Sequence, residues 1–245
     1  MRIDSKAIVC GLRNHGEHGA IVRLMTPGNG LQAAYVRGAR GRRMRPVLIP
    51  GNVVQAQLAA RTESQLPQAT LELVHSRAPL LTEPLPAAAI EWTTVLTATA
   101  LPEGQSYPRL YDALEGLLNA VEAAPSAVGW GAGLVRYELL MLAELGFGLD
   151  LESCALGGAN DDLVAVSPRS GRAVSAAEAE PYAGKLLPLP KFVREGGRAT
   201  WAEIDQGLIL SGHFLLRDLV TDRSAPVAEA RHRLVDRLRR AGGLA

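Results

Sequence analysis

The chain reads as an α+β protein of more than one domain, with strands first and helices after. Three observations predict this. Residues 1–80 hold short apolar segments cut by Gly, Asn and Pro, with little helical period. Residues 87–145 and 200–241 carry apolar residues at spacings of three and four. Between them, residues 149–198 lose that period and are crowded with Gly and Pro.

The strand segments are Ala7–Leu12, Ala20–Met25, Leu31–Val36, Val53–Ala60 and a run around Leu71 and Leu73. Alternation is best at Val54, Ala56, Leu58 and Ala60, with Gln55 and Gln57 pointing away. Turn signals separate them at Asn14–Gly16, Pro27–Gly30 and Pro50–Gly51. Five short strands in residues 1–80 suggest a small closed barrel, and the OB fold is the five-stranded option. Pro79, Pro84 and Pro86 read as a linker. A helical domain begins at 81, with helices over Ala87–Ala100, Tyr107–Ala123 and about Val128–Leu145. The last carries Leu134, Tyr137, Met141 and Leu145 and is stopped by Gly146 and Gly148 at its end near 148. Residues 149–198 form an irregular insertion. The helical domain resumes over 199–245: Thr200-Trp201-Ala202-Glu203 fits a capping box, ahead of the stripe Trp201, Ile204, Leu208, Leu215 and Leu219. Ser224 and Pro226 open a last helix carrying Leu234, Val235 and Leu238. The helices on either side of the insertion are expected to bury their stripes in one bundle.

The net charge of +1 hides an asymmetry. Residues 1–80 hold eleven Lys/Arg against four Asp/Glu, and the remainder is acidic on balance. Such halves suggest that one part meets a polyanion. All the basic residues but Lys6, Lys185 and Lys191 are arginine, whose fork fits phosphates. Cys10 and Cys154 form no C-x-x-C pair. The start lacks the apolar core of a signal peptide, and no apolar run approaches the roughly 18 residues of a membrane span. A soluble, cytoplasmic protein is expected.

No catalytic constellation appears. A phosphate loop of the G-x-x-x-x-G-K-[ST] type is absent. Ser211-Gly212-His213 lies mid-helix, without the elbow a serine nucleophile needs. His15 and His18 are weak as a metal pair and read as a solvated turn, and Asp161–Asp162 as a polar turn or cap. The chain reads as non-enzymatic, with neither metal nor cofactor. The strongest feature is Arg37-Gly38-Ala39-Arg40-Gly41-Arg42-Arg43-Met44-Arg45, without an acid, at a strand-to-strand connection. Its guanidiniums can neutralise phosphates and release counterions, and glycine lets the main chain approach. The alternative is a solvated loop. Arg13, Arg23 and Arg61 add charge to the same domain. Tyr35 is the only aromatic in residues 1–80, so phosphate contacts should dominate, sequence-independent and salt-sensitive. A second set, Arg231, Arg233, Arg237, Arg239 and Arg240, reads as a solvated helix exterior paired with Glu229 and Asp236. Arg136, within an apolar helix, either snorkels or receives a carboxylate at the rim of a groove.

In this order the pieces resemble the RecO family of bacterial recombination mediators. The resemblance is carried by Gly16-Glu17, Ile21-Val22, Thr26, Gly30 and Val36-Arg37-Gly38-Ala39-Arg40, then Pro50-Gly51 and Arg61-Thr62-Glu63. It continues through Tyr137-Glu138-Leu139-Leu140, Leu145 to Leu149, Cys154, Asp162-Leu163, Val166-Ser167-Pro168, Ser170 to Val174 and Leu186 to Pro190. The family implies an OB barrel, a helical domain and a zinc-finger-like insertion. It implies binding of single- and double-stranded DNA and annealing of single strands. It also implies loading of RecA, with RecR, onto strands coated by single-strand-binding protein (SSB). By position, Arg37 and Arg40 would contact DNA, and Arg136 falls where the SSB C-terminal tail is received. The departure is zinc: some members hold it with four cysteines, and here Cys154 stands alone, with Gly157 where a partner would be. The rival readings are another OB protein that binds RNA, and an adaptor.

Overall fold

The computed structural model describes residues 2–62, 65–124, 126–220 and 225–244, so Glu63 and Ser224 lie outside the described residues. Its contacts divide the chain into two compact units, one reaching to Glu122 and the other beginning at Ala123.

In the first unit β1 (Arg2–His15), β2 (Gly19–Thr26), β3 (Gly30–Val36), β4 (Val53–Ala59) and β5 (Gln68–His75) close into a barrel in the order β1-β2-β3-β5-β4. The pairs are antiparallel except β3 with β5, which meet in parallel at Tyr35 and Gln68. This is an OB-type barrel. The period-two alternation expected of strands builds the core: Ala7 and Val9, Val22 and Leu24, Ala34 and Val36, Val54, Ala56 and Leu58, Ala69 and Leu71. The first strand is longer than its apolar run because Asp4 on the outer face accepts hydrogen bonds from Gln55 (2.5 Å) and Gln57 (3.1 Å) of β4. Leu73 does not continue the buried row. A bulge at Val53–Val54 shifts the β4–β5 register, and Leu73 emerges 41% exposed.

The prolines after the barrel do not form a free linker. Residues Ala78–Thr82 make one 3₁₀ turn, and Pro84 starts helix α1 (Pro84–Ala100), where its missing N–H would have had no helical partner. With α2 (Pro108–Ala123), α1 belongs to the barrel's unit and lies against β1 and β2. Buried Arg77 ties barrel to helix: Nη1 donates to the Gly51 carbonyl (2.5 Å), Nη2 to Asn119, and Glu122 lies 3.4 Å away. Burial pulls this guanidinium below its ordinary pKa, with Glu122 opposing.

The second unit runs through α3 (Val128–Glu144), a sheet of β6 (Leu163–Val166), β7 (Ala173–Ser175) and β8 (Leu187–Pro188) in the order β7-β6-β8, and the short helices α4 (Ala176–Ala179) and α5 (Lys191–Glu195). Then follow α6 (Trp201–Asp218) and α7 (Ala225–Ala241). The capping box at Thr200 and Glu203 is present in both directions. Helices α3 and α6 approach closely because Gly131 faces Ile204 and Gly207 faces Val135 and Phe192; a Cβ at either glycine would come within 2.8–2.9 Å of those side chains.

Candidate nucleic-acid interface

The connection from β3 to β4 is a folded cap on the barrel. Gly38 takes φ +66°, open to glycine at little cost, and its carbonyl accepts from Gly41 N (2.9 Å). The Gly41 carbonyl then accepts from Met44 N (3.0 Å) and Arg45 N (3.1 Å), and Met44 from Val47 N (3.0 Å). Ala39, Val47 and Leu48 are buried in the barrel core with Met44 packed beside them. These apolar anchors turn inward, so Arg37, Arg40, Arg42, Arg43 and Arg45 are all exposed. Among the described residues none of the five forms an ion pair. Five uncompensated guanidiniums on an anchored turn concentrate counterions that a polyanion can displace.

The other predicted residues divide. Arg13 on β1 and Arg61 after β4 are exposed. Arg23 is committed elsewhere: it donates to the Ala98 carbonyl at the end of α1 and pairs with Glu103 at 2.5 Å. Arg136 is half-buried on α3, its Nη2 donating to the carbonyls of Gly197 (2.9 Å) and Phe192 (3.2 Å), and its guanidinium lies 5.5 Å from the Phe192 ring centre. Its Nε and Nη1 make no hydrogen bond among the described residues.

The arginine set on α7 is a solvated exterior only in part: Arg233 and Arg240 are exposed, but Arg231 is not. Arg231 is buried, with Nε donating to Glu138 Oε1 (3.0 Å) and Nη2 to Oε2 (2.9 Å) and to the Leu208 carbonyl (2.8 Å). Gly212 of α6 leaves it room, since a Cβ there would overlap the guanidinium. Arg239 pairs with Asp205 at 2.7 Å, and Arg233 reaches Glu229 at 4.0 Å. The signal was in the spacing: 231, 234 and 238 share one helical face, and Glu138 interrupts the apolar face of α3 between Leu134 and Met141.

Ser211 and His213 do not meet as a catalytic pair. The serine hydroxyl lies against Glu138, within the buried ion pair, and the His213 ring faces the Pro168 carbonyl at 3.1 Å. His15 and His18 sit at the β1–β2 turn, and Asp161 and Asp162 in the turn before β6. The residues of the insertion do not fit a four-cysteine zinc site. Cys154 Sγ meets the Ser175 hydroxyl (3.5 Å) and amide (3.4 Å), and no cluster of three or more His, Cys, Asp or Glu suited to a metal occurs among the described residues.

An OB-type barrel with a bare cationic turn, followed by a helical part, defines the class. Residues 1–77 match the family model described as Recombination protein O N terminal, and residues 87–237 that described as Recombination protein O C terminal. The chain belongs to the RecO family. It is 44% identical to a Caulobacter vibrioides (strain NA1000 / CB15N) protein named DNA repair protein RecO, across 100% of both chains. A Rhodospirillum centenum (strain ATCC 51521 / SW) protein of the same name is 47% identical, over 98% of this chain and 96% of the relative. One from Bradyrhizobium sp. (strain ORS 278) is 42% identical over 98% and 97%.

Proposed function

We propose that this chain is a non-enzymatic recombination mediator in DNA repair, binding single- and double-stranded DNA through the barrel, residues 1–80, and annealing complementary strands. The observation that carries the reading is the set of five exposed arginines, without an ion pair among the described residues, on a turn anchored in the barrel core. Arg13 and Arg61 extend it. Arg23 can join only by giving up Glu103. Annealing follows from the same charges, because two repelling polyanions approach only when their phosphates are neutralised. The protein acts in the cytoplasm, at the nucleoid, and with RecR assists RecA onto SSB-coated strands.

The deciding experiment is strand annealing of complementary oligonucleotides with and without SSB, beside binding to DNA and RNA of one sequence. The reading expects annealing that persists on SSB-coated strands. Preference for RNA would favour another OB nucleic-acid binder, and loss of both activities a pure adaptor. Arg136 is proposed to receive the acidic tail of SSB on its free N–H groups. Arg136→Ala should weaken the tail peptide by roughly 1.5–3 kcal/mol, the worth of a charge-assisted hydrogen bond, and spare binding to naked DNA. Unchanged peptide affinity would put the tail elsewhere.

A further inference from the structure

We propose that the outer face of the barrel seats one unpaired nucleobase against Tyr35, so that a single strand is held by a base contact beside the arginine turn. The inference rests on the DNA-binding reading above and specifies its surface. Strand register sets out the site. Arg13 of β1 lies opposite Ile21 of β2, Ile21 opposite Tyr35 of β3, and Tyr35 opposite Gln68 of β5. Their neighbours Ala20, Val22, Ala34 and Val36 fill the core, so this row of four faces outward. Two strand spacings separate the backbones of Arg13 and Tyr35, roughly 10 Å. Arg37 follows Tyr35 by two residues and opens the arginine turn. An aromatic ring thus lies between two cations in one surface, the order in which a strand presents phosphate, base and phosphate.

An open hollow covers this place, lined by His15, His18, Gly19, Tyr35, Arg37 and Leu66. Its walls come from the β1–β2 turn and from Leu66 ahead of β5, and the loops in these two places flank the ligand face of an OB barrel. Tyr35 is preset. Its ring overlies Gly19, where a Cβ would overlap it, and meets the His15 ring edge-on with centroids 5.9 Å apart. A ring already fixed loses little freedom when a base stacks on it. Among the described residues the one carboxylate lining the hollow is Glu17, which lies beside His18 at 3.9 Å. A base inside a duplex has both faces covered, so this contact is open to single strands only. One aromatic makes one stacking position, which adds affinity with little base preference.

The test is fluorescence anisotropy of the full chain with a single strand, an abasic strand of equal length and a duplex. Tyr35→Leu should lose about tenfold on the ordinary single strand, within the range for one stacked base, and nothing on the abasic strand or the duplex. Tyr35→Phe should bind like wild type, which also controls for folding. Equal affinity of Tyr35→Leu and wild type for the ordinary strand would overturn the inference. So would equal losses on all three ligands, which would make Tyr35 a support of the face. Either result leaves the DNA-binding reading standing, whereas a wild-type chain that binds none of the three overturns both.

Discussion

Two stretches of this chain carry five arginines each, Arg37–Arg45 on the barrel and Arg231–Arg240 on α7, and the fold treats them in opposite ways. On the barrel the anchors Ala39, Val47 and Leu48 turn inward, every arginine of the turn points out, and none forms an ion pair among the described residues. On α7 the helical period aims Arg231 at Glu138, the fold brings Asp205 to Arg239, and Glu229 sits one turn from Arg233. Charge density in a sequence is therefore no measure of binding. What decides is whether the fold delivers carboxylates to the guanidiniums, and among the described residues it does so at α7 and not at the turn.

The contrast breaks most visibly at Arg231. Arg231→Ala leaves Glu138, fully buried, without its bidentate partner, and removing one member of a buried pair costs about 3–5 kcal/mol. Urea unfolding of the second unit should register that loss. Replacing both members by apolar residues, Arg231→Met with Glu138→Leu, should recover most of it, because neither charge then needs solvation. A single variant as stable as wild type would return Arg231 to the solvent and undo the contrast.

The next effect is in DNA binding. Arg37→Ala with Arg40→Ala should lower affinity about equally for different base sequences. It should flatten the slope of log affinity against log salt by about 0.7 per lost contact on a single strand. Annealing should fall in parallel. The matched control is Arg233→Ala with Arg240→Ala on α7, for which slope and affinity should hold. Arg231 is unsuited as that control, since its loss acts through stability. If the barrel double variant keeps its slope, the turn is a solvated loop and the contact lies on the helical part.

How far the sequence discloses these fates depends on range. The barrel strands are legible because their alternation is local, and so is the capping box at Thr200, which spans four residues. The exposure of the arginine turn is legible too, since no acid lies within it. The capture of Arg23 by Glu103 joins residues 80 apart, which no local pattern reports; for Arg231 and Glu138, 93 apart, helical spacing sets each on a buried face but does not name its partner. Tyr35, to which we assign a base, is the least legible of all. Counted along the chain it is a lone aromatic, and only strand register sets it between Arg13 and Arg37.

The same rule, that packing decides whether a charge persists, applies on a smaller scale to the two cysteines. Cys10 is buried in the barrel unit, and loss of water pushes its thiol up to about 12. Cys154, in the second unit, is 6% exposed. The Ser175 hydroxyl, then the Ser175 amide, hydrogen-bond its sulfur and pull it down to about 7. Since the folded value lies below the roughly 8.5 of a free thiol, the folded state favours the thiolate. The stability this lends is complete above the free-thiol value and is lost as pH falls through about 7. Alkylation of the native chain, read by peptide mass, should therefore modify Cys154 with an inflection near pH 7 while Cys10 stays silent. Ser175→Ala should move that inflection up toward the free-thiol value. A wild-type inflection already at the free-thiol value would mean that Ser175 does not hold the sulfur, and that the local contrast between the two thiols is one of burial alone.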